Sequence, residues 1–147
     1  MRSVMGQIVS GLASAVGRFG ISVLGYTDGL VPYPAETFAA QPQTLRRAIA
    51  FIGDNAHRDI GLGDIATAIG VTGRSVQYTF RRHLGTTPLE YLRRVRLDRA
   101  HRDLEGADPA VDTVMEIACR WRFGHPGRFS KAYKQAFGTP PSRTLRA

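Results

Sequence analysis

Cysteine is nearly absent. Cys119 is the only one in 147 residues, which excludes a disulfide framework and a cysteine-rich zinc site. No apolar run reaches the roughly 18 residues that mark a transmembrane helix. The four histidines, His57, His83, His101 and His125, never fall three or four residues apart, so no helical metal pair exists. Gly61-Leu62-Gly63 is too short for a phosphate loop and follows no strand. Sustained period-two alternation is missing, which argues against a sheet. Collagen-like, coiled-coil and long low-complexity compositions are also ruled out. No catalytic constellation emerges, so an enzyme, a metal or a cofactor is not expected. Acidic residues are scarce beside basic ones: 12 Asp and Glu face 20 Lys and Arg, a net charge of +8 with a pI near 10.5. A polyanion is the expected partner, nucleic acid before an anionic membrane surface.

What is present supports one small domain. Hydrophobic residues make up 43% of the chain, enough for a core. The charge is concentrated in one part. Residues 1–41 hold Arg2 and Arg18 against Asp28 and Glu36, so all of the net charge falls in residues 42–147. Lys131 and Lys134 are the only lysines. Arginine presents a planar fork of donors that suits phosphate and guanine, although a coding bias toward arginine gives the same excess.

Residues 1–41 form a poorly defined segment and linker. Val4, Ile8, Leu12 and Val16 could share one helix face, weakened by Gly6, Gly11 and Gly17. Arg2, the apolar stretch and Ala13-Ser14-Ala15 outline a secretory signal, but Gln7, Ser10 and Gly11 interrupt it, so the chain reads as intracellular. Gly25 to Gln41, with Pro32 and Pro34, reads as a linker.

From Pro42 onward the pattern is helical throughout. Pro42 suits a first helical turn before Leu45, Ala48, Ile49 and Ile52. A short helix from Leu62, with Ile65, Ala66 and Ile69 inward, stops at Gly70. Thr72 caps a third helix to about Leu84. A long helix runs from Pro88 to about Leu104, with Leu89, Leu92, Val95, Leu97, Ala100 and Leu104 on one side. Gly106 to Pro109 is a turn, followed by a helix from about Val111 to Trp121. After a break at Phe123 to Pro126 another helix runs to Phe137. Cys119 is expected to be a small buried residue, and Trp121 a core residue or a base-stacking ring. Glu90–Arg94 and Arg99–Asp103 are spaced as helix-surface ion pairs.

Two segments repeat. Ile65-Ala66, Gly70, Val76, Phe80-Arg81, Leu84-Gly85-Thr86-Thr87-Pro88 and Leu92-Arg93 correspond to Ile117-Ala118, Arg122, Phe129, Tyr133-Lys134, Phe137-Gly138-Thr139-Pro140-Pro141 and Leu145-Arg146. The offset is 52 at the start and 53 from Val76 and Phe129 onward, so the second turn carries one inserted residue. A short helix, a tight turn and a longer basic helix form a helix-turn-helix, whose second helix enters the DNA major groove. The units fall at about 62–85 and 111–138, joined by the helix at 88–105. That helix, about 17–19 residues long, spans roughly 25–28 Å, against about 34 Å for one turn of DNA. Gly73, Arg74, Ser75, Gln77, Tyr78, Arg81 and Arg82 face away from the first unit's core, and Pro126, Gly127, Arg128, Lys131 and Lys134 from the second. Base edges are met early in such helices, which puts Arg81, Arg82 and Lys134 on phosphates.

These residues resemble the AraC/XylS-type DNA-binding domain of bacterial transcription regulators. The resemblance covers about residues 42–147. Its strings are Asp64-Ile-Ala, Gly70-Val-Thr, Gln77, Phe80-Arg-Arg, Leu84-Gly85, Thr87-Pro88, Tyr91-Leu-Arg, Arg96-Leu97, Ala100 and Leu104. They continue with Ile117-Ala118, Phe123-Gly124-His125, Arg128-Phe129-Ser130, Tyr133, Phe137-Gly138 and Pro141. It implies an all-α fold of about seven helices: two helix-turn-helix subdomains joined by a long central helix. It also implies a cytoplasmic, nucleoid-associated activator that binds double-stranded promoter DNA as a monomer and contacts RNA polymerase. Base reading falls to Arg74, Ser75, Gln77 and Tyr78 in the first unit and to Arg128 and Lys131 in the second. Pro126 and Gly127 begin the second recognition helix and offer no side-chain hydrogen bonds. Arg122 occupies a turn position where the family commonly has glycine. Larger relatives carry a sensor domain that residues 1–41 are too few to build. Two other readings remain: a non-specific architectural DNA binder, and a truncated regulator acting through protein interaction.

Overall fold

The computed structural model describes residues 42–147. The apolar face at Val4 to Val16 and the linker from Gly25 to Gln41 lie outside the described residues. Seven helices follow one another among the described residues, with no strand: α1 (Gln43–Asn55), α2 (Leu62–Ile69), α3 (Gly73–Leu84), α4 (Pro88–Gly106), α5 (Val114–Arg120), α6 (Pro126–Phe137) and α7 (Pro141–Arg146).

Local chemistry sets most boundaries. Pro42 stands just before α1, at φ −53° and ψ 141°, rather than in its first turn. Thr72 Oγ1 accepts the Ser75 N–H at 3.2 Å and starts α3; Thr87 Oγ1 accepts the Glu90 N–H at 3.2 Å and starts α4. Caps of this kind stabilise a helix by about 1 kcal/mol each. Gly70, Gly85 and Gly138 close α2, α3 and α6 in the left-handed conformation, at φ 73°, 63° and 75°. The helix expected from Val111 begins later, at Val114. Thr113 and Glu116 form a reciprocal capping box there: Thr113 Oγ1 accepts the Glu116 N–H at 3.2 Å and Glu116 Oε2 accepts the Thr113 N–H at 3.0 Å. At the other end of that linker, α4 extends through Gly106, two residues past the expected end.

The first unit is built from α1, α2 and α3. Leu45, Ala48, Ile49 and Ile52 of α1 are buried with Ile65, Ala66 and Ile69 of α2 and Val76, Phe80 and Leu84 of α3. In the second unit α5, α6 and α7 enclose Ile117, Ala118, Phe129 and Tyr133. Phe123 meets Phe129 at 4.9 Å between ring centres, and Phe137 lies stacked on His101 at 4.0 Å. The Tyr133 hydroxyl donates to Thr144 Oγ1 at 2.8 Å and meets His101 Nδ1 at 2.6 Å, pinning α7 and α4 to α6.

The central helix α4 departs from the single apolar stripe expected of it. Pro88, Tyr91 and Leu92 are buried in its first half, and Leu97, Ala100 and Leu104 in its second. At 3.6 residues per turn the two sets lie on roughly opposite sides. The first set faces the first unit, where Tyr91 meets Phe80 edge-on at 5.5 Å. The second faces α5 and α7. Leu89, expected inside, is exposed at 48%: it shares the side of Ala100 but sits about three turns earlier along the helix. One helix thus carries a unit on each side.

Candidate nucleic-acid interface

The outward face of α3 is the face opposite Val76, Phe80 and Leu84. Arg74, Gln77, Tyr78 and Arg81 recur there at i, i+3, i+4 and i+7, and all four are exposed. Tyr78 is 65% exposed, too large a fraction for a ring that completes the core. Ser75 and Arg82 lie on the flank; Ser75 is half-buried and Arg82 exposed. Gly127, Lys131 and Lys134 form the corresponding face of α6, opposite Phe129 and Tyr133, and all are exposed together with Pro126. Arg128 is exposed on the flank of α6, where Ser75 stands on α3. The two faces thus gather the sequence-expected residues, but with different chemistry. The α3 face carries four hydrogen-bonding side chains; the α6 face carries two lysines and a glycine.

The two turns match hydrogen bond by hydrogen bond. In the first, the Gly70 N–H bonds to the Thr67 carbonyl at 3.3 Å and the Val71 N–H to the Ala66 carbonyl at 3.1 Å. In the second, the Arg122 N–H bonds to the Cys119 carbonyl and the Phe123 N–H to the Ala118 carbonyl, both at 2.9 Å. The backbone equivalent of Gly70 is therefore Arg122, and it has φ 68°, the positive-φ residue other than glycine among the described residues. A Cβ in that conformation costs about 1–2 kcal/mol. The inserted residue comes afterwards: Gly124 and His125 precede α6 where Thr72 alone precedes α3.

Arg122 belongs to a concentration of charge that sequence reading missed. An open concavity of about 260 Å³ lies between α4 and the second turn, lined by Arg93, Arg96, Arg122 and Arg128 with Phe123 and His125. Arg96 is tied down: its Nε donates to the Ala56 carbonyl at 2.8 Å and its Nη2 to the Arg58 carbonyl at 2.7 Å, at the end of α1. Arg122 Nη2 lies 3.4 Å from Asp59 Oδ2. Burial first, and then the Arg122 guanidinium, hold Arg96 below its ordinary range, while Asp59 opposes them. The signals available in sequence were the arginine at a glycine position and the cluster Arg93-Arg94 with Arg96. Their convergence needed the tertiary fold.

Elsewhere two expectations change, for Cys119 and Asp103, while the core reading of Trp121 holds. Cys119 is exposed: the seven-residue α5 turns Ile117 and Ala118 inward, with Val114 packed partly buried beside them, and Cys119 lies round the helix from them. Trp121 is partly buried against the core, its Nε1–H donating to Asp103 Oδ2 at 2.8 Å, so it is not a free stacking ring. The same carboxylate oxygen takes Arg120 Nη1 at 2.8 Å, which makes Asp103 a tie between α4 and α5 rather than a strut along α4. Among the described residues no group of three or more His, Cys, Asp or Glu side chains gathers as a metal site, and no helix is long and apolar enough to cross a membrane.

Known proteins share this arrangement. The family model for a helix-turn-helix domain matches residues 65–147. The "Probable thc operon regulatory protein" of Rhodococcus erythropolis is 43% identical over 107 residues, which are 73% of this chain and 32% of that protein. The XylDLEGF operon transcriptional activator of Pseudomonas putida is 36% identical over 111 residues, 76% of this chain and 35% of its own length. The chain therefore spans about a third of the length of these relatives. Among solved structures, a probable AraC family transcriptional regulator from Rhodopseudomonas palustris CGA009 superposes with a TM-score of 0.66 at 32% identity, covering 71% of this chain and 96% of that one. An AraC-type transcriptional regulator from Chromobacterium violaceum gives 0.65 at 25% identity, covering 76% and 94%. With two matched turns, two outward basic helices and one shared central helix, the chain belongs to the AraC/XylS-type helix-turn-helix family.

Proposed function

We propose that this chain is a sequence-specific DNA-binding transcription regulator, an activator, that inserts α3 and α6 into successive major grooves of promoter DNA. The observation that carries this reading is the pair of helix-turn-helix units in register on one central helix, each exposing the outward face of its second helix. The 19 residues of α4 span about 28 Å, close to the rise of one DNA turn. The named functions of the operon regulators it resembles support the same reading. Arg74, Ser75, Gln77 and Tyr78 read base edges from α3, and Arg128 and Lys131 from α6. Arg81, Arg82 and Lys134, further along each helix, meet phosphates. Both recognition helices reside in one chain and differ in chemistry, which fits a monomer on an asymmetric site. Contact with RNA polymerase and a place on the bacterial nucleoid complete the proposal.

Pro126 and Gly127 favour a second reading, an architectural binder with blunted base recognition. Competition of a bound promoter fragment against random DNA separates the two. The regulator reading predicts a preference of about a thousandfold or more at physiological salt; equal competition by random DNA would establish the architectural one.

A further inference from the structure

Apart from Arg128, the residues assigned to base reading lie outside the arginine-lined concavity. Four arginines line it from three separate places in the fold, Arg93 and Arg96 from α4, Arg122 from the turn and Arg128 from the first turn of α6. Among the described residues the carboxylate paired with this cluster is Asp59, and its side chain is 86% exposed, a loose partner for so much charge. We propose that the concavity seats a backbone phosphate of the bound DNA, so that the second unit is held by a phosphate grip more than by base reading. The inference rests on the DNA-binding reading above.

Three observations converge on it. First, Arg122 keeps a left-handed backbone that the first unit gives to glycine, although its side chain is 44% exposed and makes only a loose surface pair. Nothing inside the fold needs arginine there, whereas an anion seated in the concavity does. Strain kept without an internal reason marks a functional position. Second, Arg96 is anchored by two carbonyls and cannot swing away from Arg122, so the like charges stay close until an anion relieves them. Third, the concavity abuts the start of α6, where His125 supplies no side-chain cap, so the N–H groups of the first turn that remain after Pro126 add to the positive charge beside it. Guanidinium forks match phosphate oxygens in geometry, and a diester in a DNA backbone needs no deep enclosure. Arg128, on the flank of α6, joins this grip, and Lys131 is left as the reader of bases.

The test is a salt titration of DNA binding by the full chain, for the parent, Arg122→Gly and Arg93→Ala. Release of one condensed counterion makes a single phosphate contact worth about eightfold in affinity at 0.1 M salt and about fourfold at 0.2 M. Because the arginines share one phosphate, each variant is expected to lose affinity by up to that factor, and the slope of log K against log salt to flatten by up to about 0.9. Replacing backbone phosphates one at a time by methylphosphonate identifies the partner. At one position under the second unit, the loss from Arg122→Gly and the loss from the neutral linkage should fail to add. Unchanged affinity and slope in both variants, or full additivity at every position, would overturn the grip while leaving DNA binding intact. Absence of DNA binding by the parent chain would overturn the DNA-binding reading and the grip with it.

Discussion

Consider Arg122→Gly as a change to the fold alone. The residue sits at φ 68°, and releasing its Cβ from that conformation recovers about 1–2 kcal/mol. Glycine gives back part of this through the freedom it adds to the unfolded chain, about 0.4–1 kcal/mol. The Asp59 pair, at 3.4 Å between exposed side chains, is lost; after solvent screening it is worth about 0–0.5 kcal/mol. Removing a positive charge beside Arg96 adds a small favourable contribution. The balance favours glycine by about 0.5 kcal/mol, a rise in melting temperature of about 2–4 °C for a domain near a hundred residues. Thermal unfolding by circular dichroism measures it, with Gly70→Arg as the control of opposite sign, since Gly70 has φ 73°. Asp59→Asn in both backgrounds isolates the ion pair. A lower melting temperature for Arg122→Gly would refute the reasoning, because it would mean that the arginine side chain stabilises the fold by more than its backbone strain costs.

Phe80→Ala removes a fully buried ring packed edge-on against Tyr91 and should cost about 3–5 kcal/mol, read by denaturant unfolding. Arg81→Ala and Lys134→Ala should weaken binding to every DNA sequence alike and flatten the salt slope by about 0.9 each; a loss confined to one sequence would reassign them to base reading. Burial raises the phenols of Tyr91 and Tyr133 above their ordinary range. The fold keeps these protons while the unfolded chain releases them above about pH 10, so stability holds below that pH and declines as pH rises further. Tyr91→Phe should remove about 1.4 kcal/mol per pH unit of that alkaline decline, measured by urea unfolding between pH 9 and pH 11.

The two units were legible because their punctuation is local. Gly70, Gly85 and Gly138 mark the ends of helices through backbone conformation, and Thr72 marks a start by capping. The repeat made Arg122 readable as the counterpart of Gly70 before any geometry. The capping box Thr113-x-x-Glu116 was also present in the sequence and would have moved the start of α5 from Val111 to Val114. Other features were not local. The apolar stripe of α4 changes sides halfway, so Leu89 was read as core, and the burial of Tyr91 and Asp98 depends on which unit lies alongside. Cys119 was misplaced for a similar reason, since a helix as short as α5 has too little periodicity to fix its inward face. The concavity is lined by both Arg93 and Arg122, residues far apart along the chain, and only packing of the second unit on α4 unites them.

Selection of bound fragments from a random DNA pool tests the central claim most directly. Two unlike recognition helices held by one 19-residue helix should return an asymmetric motif of two blocks, centred about one helical turn apart. The block under α3, faced by Arg74, Gln77 and Tyr78, should carry more sequence information than the block under α6, where Pro126 and Gly127 offer no side-chain donors. A pool that shows no enriched motif, or a motif of two identical half-sites, would contradict the account.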